Sequence, residues 1–181
     1  MTHLSLPDAR LRQSLLETIA DFGEVTQMHG SGFWHLDEGK FDTSEQGTVA
    51  MAATLRAFGD PTHEIDESLV HSDYFWITDG EPEQVIGFLA IRHALNAFLL
   101  DQGGHIGFSI RPARRGEGHA SRALALALER SAELGLDRVL VTCDDDNEAS
   151  RRTIVRSGGV FEDVRDRKER YWIEVTPTGS G

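Results

Sequence analysis

The chain has 181 residues, a length that suits one domain with a substantial core. Its 30 acidic residues outnumber 18 basic ones, and the formal net charge of -12 argues against general nucleic-acid binding, which needs a basic face. No apolar run approaches the length of a membrane span, and the single cysteine, Cys143, excludes an internal disulfide framework.

The first 72 residues are predicted to form helices and loops. The opening residues lack a basic region followed by an apolar one, so we expect no secretory signal and a soluble, cytoplasmic protein. Helices are predicted over 8–21 and up to Phe58. Between them, Phe33 and Trp34 stand in a glycine-broken loop. Such a loop either lines a substrate pocket or places both rings in the core, and the sequence leaves both alternatives open.

The remainder of the chain is predicted to alternate strands and helices. Strands are expected at 74–78 and 84–93, joined by an Asp79-Gly80 turn. The central strand ends at Pro112, which has no N–H to give to a ladder. The later elements are predicted as a helix over 120–134, a strand over 138–143, a short helix, a strand at 160–161, a charged hairpin bend over 162–170 and a final strand over 171–175.

A short basic loop joins the central strand to the next helix. Gly116 and Gly118 allow a ligand to approach the backbone closely, and Arg115 supplies positive charge. Free N–H groups at the start of the helix favour an anion there. The alternative is a tight turn with solvated arginines. The glycine spacing fits neither the Walker loop nor the dinucleotide-binding fingerprint.

Two segments resemble the signatures of the GNAT N-acetyltransferase superfamily. Arg115-Gly116-Glu117-Gly118-His119-Ala120 resembles its Arg/Gln-x-x-Gly-x-Gly/Ala motif, and Asn147-Glu148-Ala149-Ser150 followed by Gly158-Gly159 resembles its second signature. The resemblance extends from about Val85 to Glu174. Within the superfamily, the chain resembles a little-described bacterial group through its segments 91–96, 103–107 and 170–173.

The resemblance implies a mixed α/β fold in a single domain. The expected structure is a twisted, mostly antiparallel sheet that is flanked by helices and has splayed central strands. Residues 1–72 would form the acceptor side, residues 73–175 the core sheet with the acyl-CoA site, and residues 176–181 a flexible tail. Acetyl-CoA or a close acyl-CoA is implied as the donor, and no metal is expected, because the histidines show no metal-ligand spacing.

The same resemblance places the donor along the central strand and the loop that follows it. The pyrophosphate would lie on the amides of residues 115–121, the pantetheine arm would pair with the backbone of 109–111, and an N–H near Ile110 would face the thioester oxygen. The residues implied in acyl-CoA binding are Ser109, Ile110, Arg111, Arg115, Gly116, Glu117, Gly118, His119, Ala120, Ser121, Asn147 and Arg151.

The acceptor is expected to be a primary amine of a small molecule or a protein. It must lose a proton before it attacks, and His105 is the first candidate base, with His93 the second. The alternative for His105 is a sheet histidine bonded to a neighbour. Arg92 could hold a carboxylate of the acceptor. The tyrosine that many members use as a general acid is replaced by Ile154, which leaves Tyr171, Tyr74, water or no acid at all.

A second class of function stays open at this point. The fold could serve a catalytically silent acyl-CoA-binding or regulatory protein, because a fold does not fix a function. The sequence leaves the oligomeric state open between monomer and homodimer.

Overall fold

The computed structural model describes residues 1–23, 28–36 and 42–176. Within them, short helices of 3₁₀ or π type occur at Ala9–Leu11, Phe33–His35, Leu99–Gly103 and Pro112–Arg114. The main elements are β1 His3–Ser5, α1 Arg12–Phe22, α2 Glu45–Ala57, β2 Ser72–Asp79, β3 Gln84–Arg92, β4 Ile106–Ile110, α3 His119–Glu133, β5 Arg138–Asp144, α4 Glu148–Arg156, β6 Val160–Arg165 and β7 Lys168–Glu174.

One sheet carries the described strands in the order β1-β2-β3-β4-β5-β7-β6. Every pair of neighbours is antiparallel except β4 and β5. Those two central strands pair at a single position, Ile106 opposite Val141, whereas β3 and β4 pair over five. The sheet therefore opens between β4 and β5, and the expected mixed, mostly antiparallel fold with splayed central strands is confirmed.

Two apolar cores lie on opposite faces of the sheet. Alternation along β2 sends Trp76 into the core beneath α1 and α2, and Ile77 into the core beneath α3. Leu124 of α3 and Leu55 of α2 are both fully buried. Helices thus cover both faces of one sheet. In the part of the chain that the structure describes, no helix is long and apolar enough to cross a membrane.

Three strand predictions differ from the structure. Residues 3–5 form an edge strand against β2, so the part predicted as helix and loop also contributes to the sheet. The hairpin between β2 and β3 needs four residues, 80–83, rather than a two-residue turn. The stretch 162–170 is mostly strand, because the charged side chains of β6 sit on an edge strand with exposed positions. The tail 177–181 lies outside the described residues.

The bend predicted in that stretch is confined to two residues. Asp166 and Arg167 have φ angles of 45° and 64° and join β6 directly to β7. Positive φ at both central positions is the geometry that matches the twist of a two-residue hairpin.

Candidate active site

Two cavities meet along the opening between β4 and β5. The larger has a volume of about 840 Å³ and the smaller about 400 Å³. Phe108, Asn147 and Ser150 line both of them. β4 and β5 pair only at Ile106 and Val141, and the residues that follow this pair on both strands line the larger cavity.

The smaller cavity is built on the basic loop and the start of α3. Gly118 is the N-cap residue, with φ of 81° and no side-chain cap, so the first amides of this 15-residue helix are free to bind an anion. Gly116 also has φ of 81°, and a Cβ there would meet no atom within 4 Å. The residues predicted to bind acyl-CoA that line this cavity are Ser109, Ile110, Arg115, Gly116, Gly118, His119, Ala120, Ser121 and Asn147.

Two further cations on this cavity were missed from the sequence. Arg152 and Arg156 of α4 line it opposite the loop. They are four residues apart, so both lie on one face of the helix. That spacing is the signal that could have identified them. Arg114 also lines the cavity and is held by Asp79 at 2.9 Å and Glu117 at 3.0 Å.

Three residues expected to bind acyl-CoA line neither cavity in the described structure, because each is held by other groups of the protein. Arg111 donates from Nε to Asp21 of α1 at 2.9 Å. The Glu117 carboxylate lies 3.0 Å from both Arg114 and His119. Arg151 donates to both carboxylate oxygens of Glu169, at 2.7 and 2.9 Å. Their side chains are therefore held by ion pairs beside the two cavities.

The hydrogen-bond pattern of β4 decides which of its amides face the opening. The N–H of Arg111 donates to Ile86, and the carbonyl of His105 accepts from Arg92. Alternation along an antiparallel pair then directs the odd-numbered residues of β4 to β3 and the even-numbered ones to the β5 side. The N–H groups of Phe108 and Ile110 consequently face the opening. The expectation for Ile110 fits this pattern, whereas Ser109 and Arg111 turn their backbone away.

Arg92 lies at the wall of the larger cavity. Its Nη1 donates to the carbonyls of Gly103 and Gly104 at 3.0 and 3.3 Å, and its Nε is buried with no partner. Burial lowers the pKa of this guanidinium. A Cβ at Gly107 would come within 3.1 Å of Nη1, so the glycine lets the guanidinium lie against the central strand.

His105 and His93, the two predicted bases, are both engaged outside the cavities. His105 is 6% exposed, and its Nδ1 accepts from the amide of Leu140 at 2.9 Å. Burial, with the charge of Arg92, lowers its pKa to about 4. His93 Nε2 lies 2.9 Å from Asp73, which also pairs with Arg130. This geometry argues against His105 as the base and matches a structural histidine bonded to a neighbour.

His29 also lines the larger cavity, and no motif of the sequence indicates it. The backbone carbonyl of His29 accepts a hydrogen bond from the hydroxyl of Ser109. The next residue, Gly30, packs closely against the central strand, and a Cβ on it would lie 2.4 Å from the carbonyl oxygen of Gly107. The loop thus holds His29 over the central strand. Although the ring is exposed to the cavity, desolvation by the walls and the charge of Lys168 lower its pKa.

The aromatic loop divides its two rings between core and cavity. Phe33 is 7% exposed and packs edge-on against Phe88, with ring centroids 5.2 Å apart. Trp34 is 59% exposed. Both residues line the larger cavity. Phe33 therefore combines the two alternatives drawn from the sequence, since it packs in the core and also lines the cavity, whereas Trp34 lines the cavity only.

The candidate acids are engaged elsewhere. The hydroxyl of Tyr171 donates to Glu169 at 2.9 Å, and burial with this contact raises its pKa to about 12. Burial raises the pKa of Tyr74 to about 12 as well, and its hydroxyl lies 2.7 Å from His35. Ile154 is fully buried in the core. Among the described residues, no group of three or more His, Cys, Asp or Glu side chains could hold a metal ion.

Known proteins resemble this chain in sequence pattern and in fold. A family model described as an acetyltransferase (GNAT) domain matches residues 15–160. No curated protein matches the sequence.

Solved structures share the fold at low sequence identity. An acetyltransferase from Salmonella typhimurium that modifies the N-terminal serine of ribosomal protein L7/L12 is 14% identical, with a TM-score of 0.62 over 97% of this chain and 95% of that one. The microcin C7 self-immunity acetyltransferase MccE, in complex with acetyl-CoA and AMP, is 14% identical, with a TM-score of 0.60 over 96% and 92%. The ribosomal L7/L12 α-N-protein acetyltransferase RimL with coenzyme A is 14% identical, with a TM-score of 0.63 over 96% and 94%.

The matched segment includes the central strands, the basic loop and α4, which all contribute residues to the cavities. The chain belongs to the GNAT acetyltransferase family and is an acyl-CoA-dependent N-acyltransferase.

Proposed function

We propose that this protein transfers the acetyl group of acetyl-CoA to the primary amine of a small molecule. The observation that carries the proposal is the pair of cavities that meet between β4 and β5. Arginines and the start of α3 line the smaller cavity, and a buried cation and aromatic rings line the larger one. A volume of about 840 Å³ is in the range of pockets for small ligands, which favours a small acceptor over a protein.

The smaller cavity suits the phosphates of acetyl-CoA. Arg115, Arg152 and Arg156 border it, and the first amides of α3 add positive potential where a pyrophosphate would lie. In an otherwise acidic protein, this local concentration of arginines favours a multiply charged anion. Acetyl-CoA, when bound, supplies the acetyl group as a thioester.

The central strand supplies donors for the thioester carbonyl. The N–H groups of Phe108 and Ile110 face the opening and are fixed by the pairing of β4 with β3. Amides fixed in this way stabilise negative charge on an oxygen without reorganising during the reaction.

His29 is the side chain we assign to the removal of the amine's proton. Its ring opens into the larger cavity, and its lowered pKa keeps it neutral and able to accept a proton at neutral pH. Cys143 lines the same cavity, but burial and Glu169 raise the pKa of its thiol to about 11. A neutral thiol is a poor nucleophile, so direct attack by the amine is favoured over an acyl-cysteine.

The donor site can be tested with two matched glycines. Gly116 and Gly135 have φ of 81° and 77°, and a Cβ at either would meet no atom within 4 Å. Gly116→Asp and Gly135→Asp therefore impose a similar backbone strain, but only Gly116 lines the smaller cavity. We expect Gly116→Asp to abolish acetyl-CoA binding in calorimetry, because its carboxylate repels phosphate, and Gly135→Asp to leave the affinity unchanged.

Acetyl-CoA binding and thiol release together distinguish an acetyltransferase from a catalytically silent acyl-CoA-binding protein. Equal affinity in the two variants would remove the phosphate site from the basic loop. Tight acetyl-CoA binding by the wild type, with no thiol release for any amine offered, would instead favour the catalytically silent acyl-CoA-binding protein.

A further inference from the structure

Arg92 is a mostly buried cation without a carboxylate partner among the described residues. Two of its N–H contacts go to the carbonyls of Gly103 and Gly104, and its Nε has no partner. By contrast, Arg130, Arg151 and Arg170 each form ion pairs with acidic side chains. A buried charge is costly unless it is paired, so an uncompensated guanidinium at a cavity wall indicates an anion that arrives from outside.

The described residues give the larger cavity a charge opposite in sign to that of the whole protein. Among them, the charged lining side chains are Arg92, Lys168 and Asp144, two cations and one carboxylate. Lys168 and Asp144 pair with each other at 2.5 Å, which leaves Arg92 as the uncompensated charge of these three. The net charge of -12 would draw a cationic acceptor towards the protein, but the cavity itself would repel it.

The position of the guanidinium ties this charge to the reaction centre. Gly107 of the central strand has no side chain, and the guanidinium of Arg92, which belongs to β3, fills the space beside it. The next residue is Phe108, whose N–H faces the opening between β4 and β5. An anion on Arg92 is therefore held next to the strand that would hold the thioester.

We propose that the acceptor is a small amine that also carries a carboxylate, and that Arg92 binds this carboxylate. The inference rests on the proposed function and names its substrate class. A carboxylate matches the planar guanidinium, which can donate to both of its oxygens. Phe33, Trp34, Phe98 and Leu99 supply apolar walls for the rest of the molecule. An amino acid with an apolar side chain has all three features.

The test compares amines that differ in the carboxylate alone. The set holds the protein amino acids and short ω-amino acids, each beside its primary amide and its decarboxylated amine, for example leucine, leucinamide and isopentylamine. Thiol release from acetyl-CoA gives kcat/KM for each. For the best acceptor we expect a preference of about 10- to 100-fold for the carboxylate over the amide, the range that a charge-assisted hydrogen bond supplies.

Variants of Arg92 then assign the preference to this side chain. Arg92→Gln should bring the ratio of acid to amide to about one, while its acetyl-CoA affinity in calorimetry stays within about twofold of wild type, since Arg92 does not line the smaller cavity. Arg92→Lys should keep part of the preference, since it keeps the charge. The matched control is Arg56→Gln, which removes an exposed arginine that lines neither cavity.

Three results would overturn the inference while leaving acetyl-CoA binding intact. The wild type could acetylate the carboxylate-free amines as well as their acids, or acetylate none of the acids at all. Alternatively, Arg92→Gln could keep the preference for the acid. If the wild type failed to bind acetyl-CoA in calorimetry, the proposed function itself would be wrong, and this inference would go with it.

Discussion

Two histidines close to the central strand differ in what surrounds their rings. His105 precedes β4 at the closed end of the opening, where its Nδ1 and its backbone N–H both bond to Leu140. His29 lies over the same strand, but its ring opens into the larger cavity. The two residues should therefore respond to mutation in opposite ways, one through stability and the other through catalysis.

We expect His29→Gln to lower kcat by about a hundredfold or more, because it removes the proton acceptor and keeps a side chain of similar size. The ring is exposed to the cavity, so the melting temperature should change little. The lowered pKa of His29 places the acidic limb of the wild-type pH profile below about 6.5, and the variant should lose that limb. Near-normal kcat across pH would remove His29 from the mechanism.

His105 should instead make stability depend on pH. Its pKa is lowered to about 4 in the folded protein, against about 6.5 in the unfolded chain. Between these values the unfolded state binds the extra proton, so stability is complete above about pH 6.5 and is lost as the pH falls towards 4. The loss attributable to this ring is about 3 kcal/mol.

The comparison variant is His105→Asn, which retains an acceptor for the amide of Leu140 and does not titrate. Denaturant unfolding at a series of pH values should show the variant losing about 3 kcal/mol less than wild type between neutral pH and pH of about 4. Equal losses in the two proteins would show that the ring is not held neutral by its surroundings.

For single residues, the sequence predicts which residues line the site better than it predicts the ion-pair partners of their side chains. Arg115, Gly116 and Gly118 belong to a local motif, and the structure places all three on one cavity. The resemblance implies Arg111 through the central strand and Arg151 through its position near Asn147, but their partners Asp21 and Glu169 come from distant parts of the chain. Nothing in the spacing of the residues reveals such long-range ion pairs.

Among the elements, the hairpin of β6 and β7 depends on one buried arginine. Arg170 is 1% exposed, donates from Nε to the carbonyl of Leu100 at 2.9 Å, and lies 2.5 Å from Glu162 and 2.6 Å from Asp163. It thus joins the edge strand, its neighbour and the π-helical turn beside the larger cavity. The two carboxylates are partly exposed, so the desolvated member of the group is the cation.

This asymmetry predicts which partner is costlier to remove. The double variant Glu162→Gln/Asp163→Asn leaves a buried cation uncompensated and should cost about 3 to 5 kcal/mol of unfolding free energy. Arg170→Met leaves two carboxylates that water can reach, and should cost only about 1 to 2 kcal/mol. Urea unfolding of both variants measures the order. A larger loss for Arg170→Met would show that packing of the side chain outweighs its charge.

The sequence predicted most elements but not all of their partners. Alternation along β3 and β4 and the glycines around α3 identified the central strand, the loop and the helix. The charges of 162–170 predict a bend, but an edge strand carries charges as well, and the burial of Arg170 depends on a contact with residue 100. The strand β1 is three residues long, too short for periodicity to reveal.

At the scale of the whole molecule, one sheet separates two cores. Trp76 and Leu55 pack on one face, and Ile77 and Leu124 on the other. Since the same strands supply both faces, neither core can form without the sheet that the other core also stabilises. We therefore expect the chain to unfold as a single domain, in one cooperative transition.

Leu124→Ala tests this coupling from the face that α3 covers. The side chain is fully buried, so its truncation should cost about 2 to 5 kcal/mol. Trp76 reports on the opposite face, and its fluorescence can be isolated in a background of Trp34→Phe and Trp172→Phe. In that background, Leu124→Ala should shift the denaturation midpoint of Trp76 fluorescence and of far-ultraviolet circular dichroism by the same amount.

The matched control is Leu55→Ala, which truncates a fully buried leucine on the face that contains Trp76. If Leu124→Ala moved the dichroism midpoint and left that of Trp76 in place, the two faces would unfold separately, and the single-domain prediction would be wrong.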